Sequence, residues 1–351
     1  MTDFVEFPEP VYVAAGKVFA NFQAADSSYT PENALAMMWF AQLAYEVDDT
    51  GGNANAAKIA RIAEQFQFEK VTPFRRHAVA LTRSFDTTGV VGERRDAIVL
   101  AFAGTDPGVW ETVVTDSGFL LGAKDTHDGF QAAFEAAAPI GADGKLAGPV
   151  GEAIAKANSS GLPLFIAGHS LGAALAILAA DAAAAQGTPP RAVYGFGTPC
   201  IGGTTFQARY NAALGNVTYR LVHGRDIVAR VPMLQGYRHV GCMLRTEQNA
   251  KFAGRPVGPS EDPTFLAPDY LNEIARFLQG GGVLGFIKGR VVSPPGSPQE
   301  LANAVIAKLP PRGHGPLGEW FRALPPFIRE HLQDRYIEAL TPGAARLRPD
   351  V

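Results

Sequence analysis

Residues 164–178 read LFIAGHSLGAALAIL, a short apolar run followed by a segment rich in alanine and leucine. The run predicts a buried strand and the segment after it a helix. A GxSxG motif stands where they meet, so Ser170 is expected on a sharp strand-to-helix turn, the context that exposes a nucleophilic serine. The plainer alternative is an ordinary serine that caps the helix.

Short apolar strands alternate with helices around this turn. Upstream, helices are predicted over 30–45 and 54–66, and strands over 77–86 and 94–104 with the turn TTGVVGE between them. Further on, the predicted helices begin at 128, cover 150–158 and 171–186 and include 206, and the predicted strands cover 162–168, 191–197 and 217–223. This alternation favours an α/β fold with a mostly parallel sheet covered by helices on both faces.

Residues 249–326 interrupt the alternation with stretches rich in glycine and proline, such as QGGGVLG and SPPGSP. We interpret them as a cap or flap inserted into a single domain that covers 1–351, with helices of its own over 268–278 and 298–309. After it, 327–340 are predicted to form one amphipathic helix. Its apolar face carries Phe327, Ile328, Leu332, Tyr336, Ile337 and Leu340.

A serine nucleophile needs a base and an acid that orients the base, and in α/β hydrolases both follow the serine, acid first. Asp226 is the favoured acid because it follows a strand at the expected carboxyl edge of the sheet; otherwise it is a turn or surface aspartate. His331 is the favoured base because the terminal helix, which it is expected to open, would hold the imidazole in place. His239 fits a strand position and is interpreted as structural, and His314 lies in the flexible stretch PPRGHGP.

Several motifs in one order resemble the class 3 lipases, the family that includes the fungal triacylglycerol lipases. The resemblance spans most of the chain and rests on YTPENAL, AFAGT, HDGF, GHSLGAALA, GFGTP, RDIVARVP, YRHVG and HLQDRYIEAL. It implies the α/β-hydrolase fold, with Ser170 as nucleophile, Asp226 as acid and His331 as base. It also makes His239 a weaker candidate.

The resemblance further implies an oxyanion hole, formed by the backbone N–H groups of Thr105 and Leu171. The alternative for Thr105 is a threonine that caps a turn at the end of a strand. Two departures from the family pattern lie nearby: Ala103 stands where the family often has arginine, and Ala173 replaces a glycine. A larger departure is the separation of the acid and the base by 105 residues, which indicates the insertion.

A lid that covers the nucleophile is implied for residues 106–123, directly after the oxyanion strand. This segment is rich in large apolar side chains, among them Trp110, Phe119, Leu120 and Leu121. Such a surface would be hidden in water and presented to lipid. A short helix that stays buried on the core is the alternative.

Composition excludes several other classes of protein. The formal net charge of -3 gives no electrostatic reason to expect nucleic-acid binding. Cys200 and Cys242 form no metal-binding or redox motif, so two free thiols and no metal are expected. No apolar run reaches the length of a transmembrane helix, and the N-terminus shows no signal sequence, so a cytoplasmic protein without a membrane anchor is favoured, with export as the alternative.

These observations predict an enzyme that cleaves carboxylic esters through an acyl-enzyme, without a cofactor. A triacylglycerol lipase is favoured, with an acyl ester or lipid as substrate and transient contact with a lipid interface. The alternatives are a soluble carboxylesterase, a feruloyl-type esterase or a phospholipase, because fold and catalytic residues do not set the substrate. A hydrolase-like binding module without activity is the remaining alternative.

Overall fold

The computed structural model describes residues 7–47, 55–80, 83–104, 125–226, 228–230, 236–259, 326–343 and 347. Within them, seven strands form one sheet in chain order. The strands are β1 Lys70–Ala80, β2 Arg83–Glu93, β3 Ile98–Phe102, β4 Leu164–His169, β5 Ala192–Phe196, β6 Thr218–His223 and β7 Cys242–Thr246. The first three pair antiparallel and β3 to β7 pair parallel. The predicted mostly parallel sheet is therefore confirmed.

Helices precede, separate and follow these strands. They are α1 Glu9–Ala15, α2 Pro31–Leu43, α3 Ala56–Gln65, α4 Asp128–Ala137, α5 Gly148–Ser160, α6 Leu171–Ala185, α7 Thr204–Leu214, α8 Pro326–Arg329 and α9 Gln333–Leu340. Most of the predicted helices that fall on described residues are present, with ends shifted by a few residues. The exception is the helix predicted over 327–340, which is interrupted. The helices predicted over 268–278 and 298–309 lie outside the described residues.

The sheet separates two hydrophobic cores, and alternate residues of its central strands face each of them. In β3, Val99 and Ala101 belong to one core, and Leu100 and Phe102 belong to the other. The first core also contains buried residues of α2 and α9, and the second contains those of α4, α5 and α6. Because both faces of these strands are buried, the strands are apolar at nearly every position. Helices therefore cover both faces, as the sequence predicts.

The antiparallel hairpin at the edge of the sheet differs from its prediction. Strand β1 already begins at Lys70 and ends at Ala80, and the stretch predicted as a turn, 87–93, belongs to β2. Its Gly89 faces the ring of Phe74, and a Cβ there would lie 2.4 Å from that ring. The glycine thus makes room for an aromatic side chain within a strand, which its turn-like sequence context does not reveal.

The predicted helix over 327–340 is also wrong as a single element. It is interrupted between α8 and α9, where Leu332 adopts extended backbone with φ -67° and ψ 149°. His331 therefore lies in the connecting turn and does not open a helix. Its carbonyl oxygen accepts a hydrogen bond from the side chain of His169 instead of continuing a helical ladder.

The N-terminal segment, for which no element was predicted, is fastened to the core by a buried carboxylate. Glu46 is fully buried and accepts hydrogen bonds from the Phe7 backbone N–H at 3.0 Å and from the Tyr12 hydroxyl at 2.5 Å. The ammonium group of Lys58 forms an ion pair with the same carboxylate. Charge and hydrogen bonds together compensate the cost of burying the carboxylate. The turn at 44–46, which follows α2, is thereby held in place.

Three further predictions bear on the whole molecule. Cys200 and Cys242 are both buried and are not joined in a disulfide, as predicted. Among the described residues, no helix is long and apolar enough to cross a membrane. Most of the predicted insertion and the whole predicted lid, 106–123, lie outside the described residues.

Candidate active site

Ser170 occupies a strained turn between β4 and α6. Its backbone has φ 61° and ψ -132°, a region that residues other than glycine rarely adopt. The turn leaves no room for side chains at either flanking glycine. A Cβ at Gly168 would lie 2.1 Å from the carbonyl oxygen of Gly172, and a Cβ at Gly172 would lie 2.4 Å from that of Phe102. The GxSxG pattern is therefore the sterically required sequence for this turn.

Asp226 lies just beyond the carboxyl end of β6 and is fully buried. Its Oδ1 accepts a hydrogen bond from the Val228 backbone N–H at 2.8 Å, and its Oδ2 lies 2.7 Å from Nδ1 of His331. Burial alone would raise the pKa of this carboxyl. The His331 charge and the hydrogen bonds from His331, Tyr336 and Val228 outweigh burial and lower it. Asp226 is therefore ionised at neutral pH.

His331 is buried in the turn between α8 and α9 and has its Nδ1 directed at Asp226. Since an ionised carboxylate only accepts hydrogen bonds, Nδ1 donates its proton to Asp226, and in the neutral ring Nε2 is the nitrogen with the lone pair. The imidazole is thus held in the tautomer that a general base requires. The structure brings Asp226 and His331, far apart in sequence, into direct contact.

The serine turn adjoins this pair through the residues that follow β5. The Ser170 backbone N–H donates to the carbonyl oxygen of Phe196 at 2.8 Å, and the next residue, Gly197, packs against the pair. A Cβ at Gly197 would lie 2.7 Å from both Asp226 Oδ2 and His331 Nδ1. The hydroxyl of Ser170 is buried and makes no hydrogen bond to any described residue. Ser170, His331 and Asp226 are consequently gathered at one edge of the sheet.

Replacement of Gly197 by alanine tests this packing. At φ 60° an alanine is strained, and its Cβ would also collide with the His331–Asp226 pair. Gly161→Ala is the matched control, because Gly161 has φ 68° and no atom within 4 Å of an added Cβ. We expect the control to lose about 1–2 kcal/mol of folding stability and keep its turnover. Gly197→Ala should lose more stability and, on the folded fraction, about tenfold or more in kcat.

The measurements are thermal unfolding and the turnover of a short soluble ester. Equal stability losses and unchanged kcat in both variants would contradict the close packing of Gly197 on the pair.

Sequence reasoning missed the role of Tyr336, which it placed only on the apolar face of a helix. Its hydroxyl donates to Asp226 Oδ2 at 2.6 Å and accepts a hydrogen bond from the His223 backbone N–H at 3.1 Å. Burial and the nearby Asp226 hold the pKa of Tyr336 well above its usual value. The hydroxyl therefore stays protonated and gives the carboxylate a third donor. The sequence signal for this role was the position of Tyr336 on the same helix face as the core residues.

Two of the other candidate residues, His239 and Leu171, lie among the described residues. His239 is buried in the loop before β7, outside a strand, and its Nε2 lies 2.8 Å from the carbonyl oxygen of Ala229, a structural contact. Leu171 is the first residue of α6, and the N-terminus of a helix carries a partial positive charge that attracts negative groups. The remaining predicted residues, Thr105, Trp110, Phe119, Leu120, Leu121 and His314, lie outside the described residues.

Comparison with known proteins agrees with the resemblance noted in the sequence. Residues 100–236 match the family model Lipase (class 3). The chain is 30% identical over 173 residues to the secreted mono- and diacylglycerol lipase A of Penicillium cyclopium, covering 44% of this chain and 50% of the relative. It is 39% identical over 98 residues to phospholipase A1-II 6 of Oryza sativa subsp. japonica, covering 24% of each protein. The chain thus matches at most about half the length of these curated relatives.

A crystal structure of an MDLA mutant form from Penicillium cyclopium is similar at a TM-score of 0.48 and 21% identity, over 68% of this chain and 92% of that structure.

Proposed function

We propose that this chain, whose residues 100–236 match the class 3 lipase family model, is a serine hydrolase that cleaves acylglycerol esters through an acyl-enzyme. One observation carries the proposal: a buried Asp226–His331 pair, joined at 2.7 Å, adjoins the strained turn that presents Ser170. A nucleophile, a base and an orienting acid are the parts that acyl transfer needs. A binding module without activity would have no use for the strain at Ser170.

Each group has one task in the proposed reaction. Ser170 Oγ attacks the acyl carbonyl while His331 Nε2 takes its proton, and the imidazolium then protonates the leaving alcohol. Water, deprotonated by the same nitrogen, then attacks the acyl carbonyl; the bond to Ser170 Oγ breaks, the imidazolium returns the proton to Oγ, and the acid is released. Asp226 stays ionised throughout and stabilises the imidazolium. The oxyanion is assigned to the backbone N–H groups of Leu171 and Thr105.

The substrate class rests on the named relatives. A fungal relative is named a mono- and diacylglycerol lipase, which supports an acylglycerol ester. The rice relative is named a phospholipase A1, which makes a phospholipid the second candidate. Rates on emulsified triacylglycerol, on diacylglycerol and on phosphatidylcholine, measured with one preparation, decide between them. Hydrolysis of phosphatidylcholine alone would replace the acylglycerol proposal with the phospholipase.

We also propose that residues 106–123 form a surface that docks on lipid, on the evidence of their apolar composition. Replacing Phe119 and Leu120 together with serine should lower the rate on emulsified triacylglycerol by about tenfold or more. Only that rate depends on docking of the enzyme at the lipid interface. Each Å² of apolar surface buried there contributes about 25 cal/mol to the free energy of docking. The rate on a short p-nitrophenyl ester in solution is the control and should change less than about twofold. An equal fall in both rates would assign the two side chains to the core.

The location of the protein is a separate proposal. The fungal relatives are named as secreted proteins, which gives no support to the predicted cytoplasmic location. We propose export, and immunodetection in cells and in medium tests it. Protein confined to the cells would restore the cytoplasmic prediction.

A further inference from the structure

A second buried histidine, His169, lies between the serine turn and the turn that carries His331. Its Nε2 is 2.7 Å from the carbonyl oxygen of His331, and its Nδ1 is 2.7 Å from the hydroxyl of Tyr45. The two imidazole rings have their centroids 4.5 Å apart. Nothing in the proposed reaction uses His169 for proton transfer, so its burial beside the base calls for a different explanation.

The two hydrogen-bond partners of His169 determine which of its ring nitrogens carries a proton. A carbonyl oxygen only accepts hydrogen bonds, so Nε2 carries the ring proton. Burial and the neighbouring His331 hold the pKa of His169 well below its usual value, which keeps the ring neutral. Its Nδ1 is therefore an acceptor, and the Tyr45 hydroxyl donates to it. One arrangement of hydrogen bonds thus joins Tyr45, His169 and the backbone of His331.

The other side of the Tyr45 hydroxyl contacts the end of β3. Burial raises the pKa of Tyr45, and the neighbouring Gly104 backbone and Gln333 side chain partly offset this rise. A Cβ at Gly104 would lie 2.5 Å from the Tyr45 hydroxyl and 2.6 Å from Cβ of Ser170. The hydroxyl therefore lies where β3 meets the serine turn, one residue before Thr105.

We propose that Tyr45 and His169 are positioning residues for the ester hydrolysis proposed above, on which this inference rests. They connect three separate segments: the Tyr45 hydroxyl packs against the end of β3, and the two hydrogen bonds of His169 link that hydroxyl and the turn of His331 to the serine turn. Each segment supplies one part of the reaction, namely the proposed oxyanion donor, the nucleophile and the base. Position 103 is an alanine, which supplies no charged support for this strand end.

The proposal predicts a loss of turnover without a loss of substrate binding. The three segments are aligned by groups that contact backbone and catalytic side chains, so removing a link displaces the reacting groups relative to one another. Displacements on the order of 1 Å can cost about 100-fold in rate. A KM that reflects only ground-state binding is unaffected by such a change.

Tyr45→Phe removes the hydroxyl and keeps the ring. On a short soluble p-nitrophenyl ester we expect kcat to fall about 10- to 100-fold, with KM within about twofold of the wild type. Tyr210→Phe is the matched control, since Tyr210 is also fully buried and its hydroxyl lies 2.9 Å from Oγ1 of Thr218, in the other core. It should lose comparable stability and keep its kcat.

His169→Leu, alone and combined with Tyr45→Phe, tests whether the two residues act as one unit. If they do, the double variant loses little more kcat than His169→Leu alone. If the fold-losses in kcat of the two single variants multiply in the double variant, the two residues do not act as one unit. An equal loss of kcat in Tyr210→Phe would mean that the effect of Tyr45→Phe is general destabilisation. Wild-type kcat in Tyr45→Phe, with Ser170→Ala inactive, would overturn this inference alone. A wild type that hydrolyses no ester would overturn the proposed function and this inference with it.

Discussion

Ser170→Ala is expected to lower kcat for ester hydrolysis by roughly 10⁴- to 10⁶-fold, because nucleophile and base act as a unit and neither works without the other. The fold should tolerate the change. The Ser170 hydroxyl is buried and makes no hydrogen bond to the described residues, so its removal leaves none of them without a partner. The unfolding temperature should stay within about 3 °C of the wild type.

Turnover of a short p-nitrophenyl ester and covalent labelling by a fluorophosphonate measure this effect. The wild type should be labelled and the variant should not. Substantial turnover or labelling in Ser170→Ala would remove this residue from the mechanism, whatever the rest of the site does.

His331→Ala should lower kcat to a similar extent, because it removes the group that exchanges protons with Ser170. Its stability should also fall, since the buried Asp226 would lose one of its partners and keep only Tyr336 and the Val228 N–H. The loss of a charged buried hydrogen bond costs about 1–3 kcal/mol. Activity must therefore be expressed per folded enzyme, from circular dichroism on the same samples.

His239→Ala is the matched control for this variant. His239 is equally buried, and its Nε2 hydrogen-bonds the carbonyl oxygen of Ala229, so its loss should destabilise the protein with less than about threefold change in kcat. An inactive His239→Ala beside an active His331→Ala would reverse the assignment of the base.

The central part of the fold could be predicted from local sequence. The strand, turn and helix around Ser170 follow from residues that are neighbours in the chain: an apolar run, two glycines and an alanine-rich segment. The position of Asp226 beyond the end of β6 could be expected for a related reason, because a loop after a parallel strand opens at the carboxyl edge of the sheet. In both places the sequence pattern that determines the local structure spans fewer than about ten residues.

Other features depend on contacts between distant residues and leave little local signal. Tyr45 and His169 are 124 residues apart, and Tyr336 and Asp226 are 110 apart. A tyrosine in an apolar stripe has the same pattern whether its hydroxyl reaches a carboxylate or water. The interruption before α9 is similar, because the carbonyl of His331 turns to a partner, His169, that its neighbours do not specify.

The backbone strain at Ser170 has a consequence for protein engineering. A non-glycine residue in such a conformation costs about 1–3 kcal/mol, and glycine would relieve most of it. A library of variants ranked by heat resistance alone would therefore enrich glycine at 170 and discard the proposed nucleophile. Improvement of this protein calls for selection on turnover and heat resistance together, because the two requirements oppose each other at this residue.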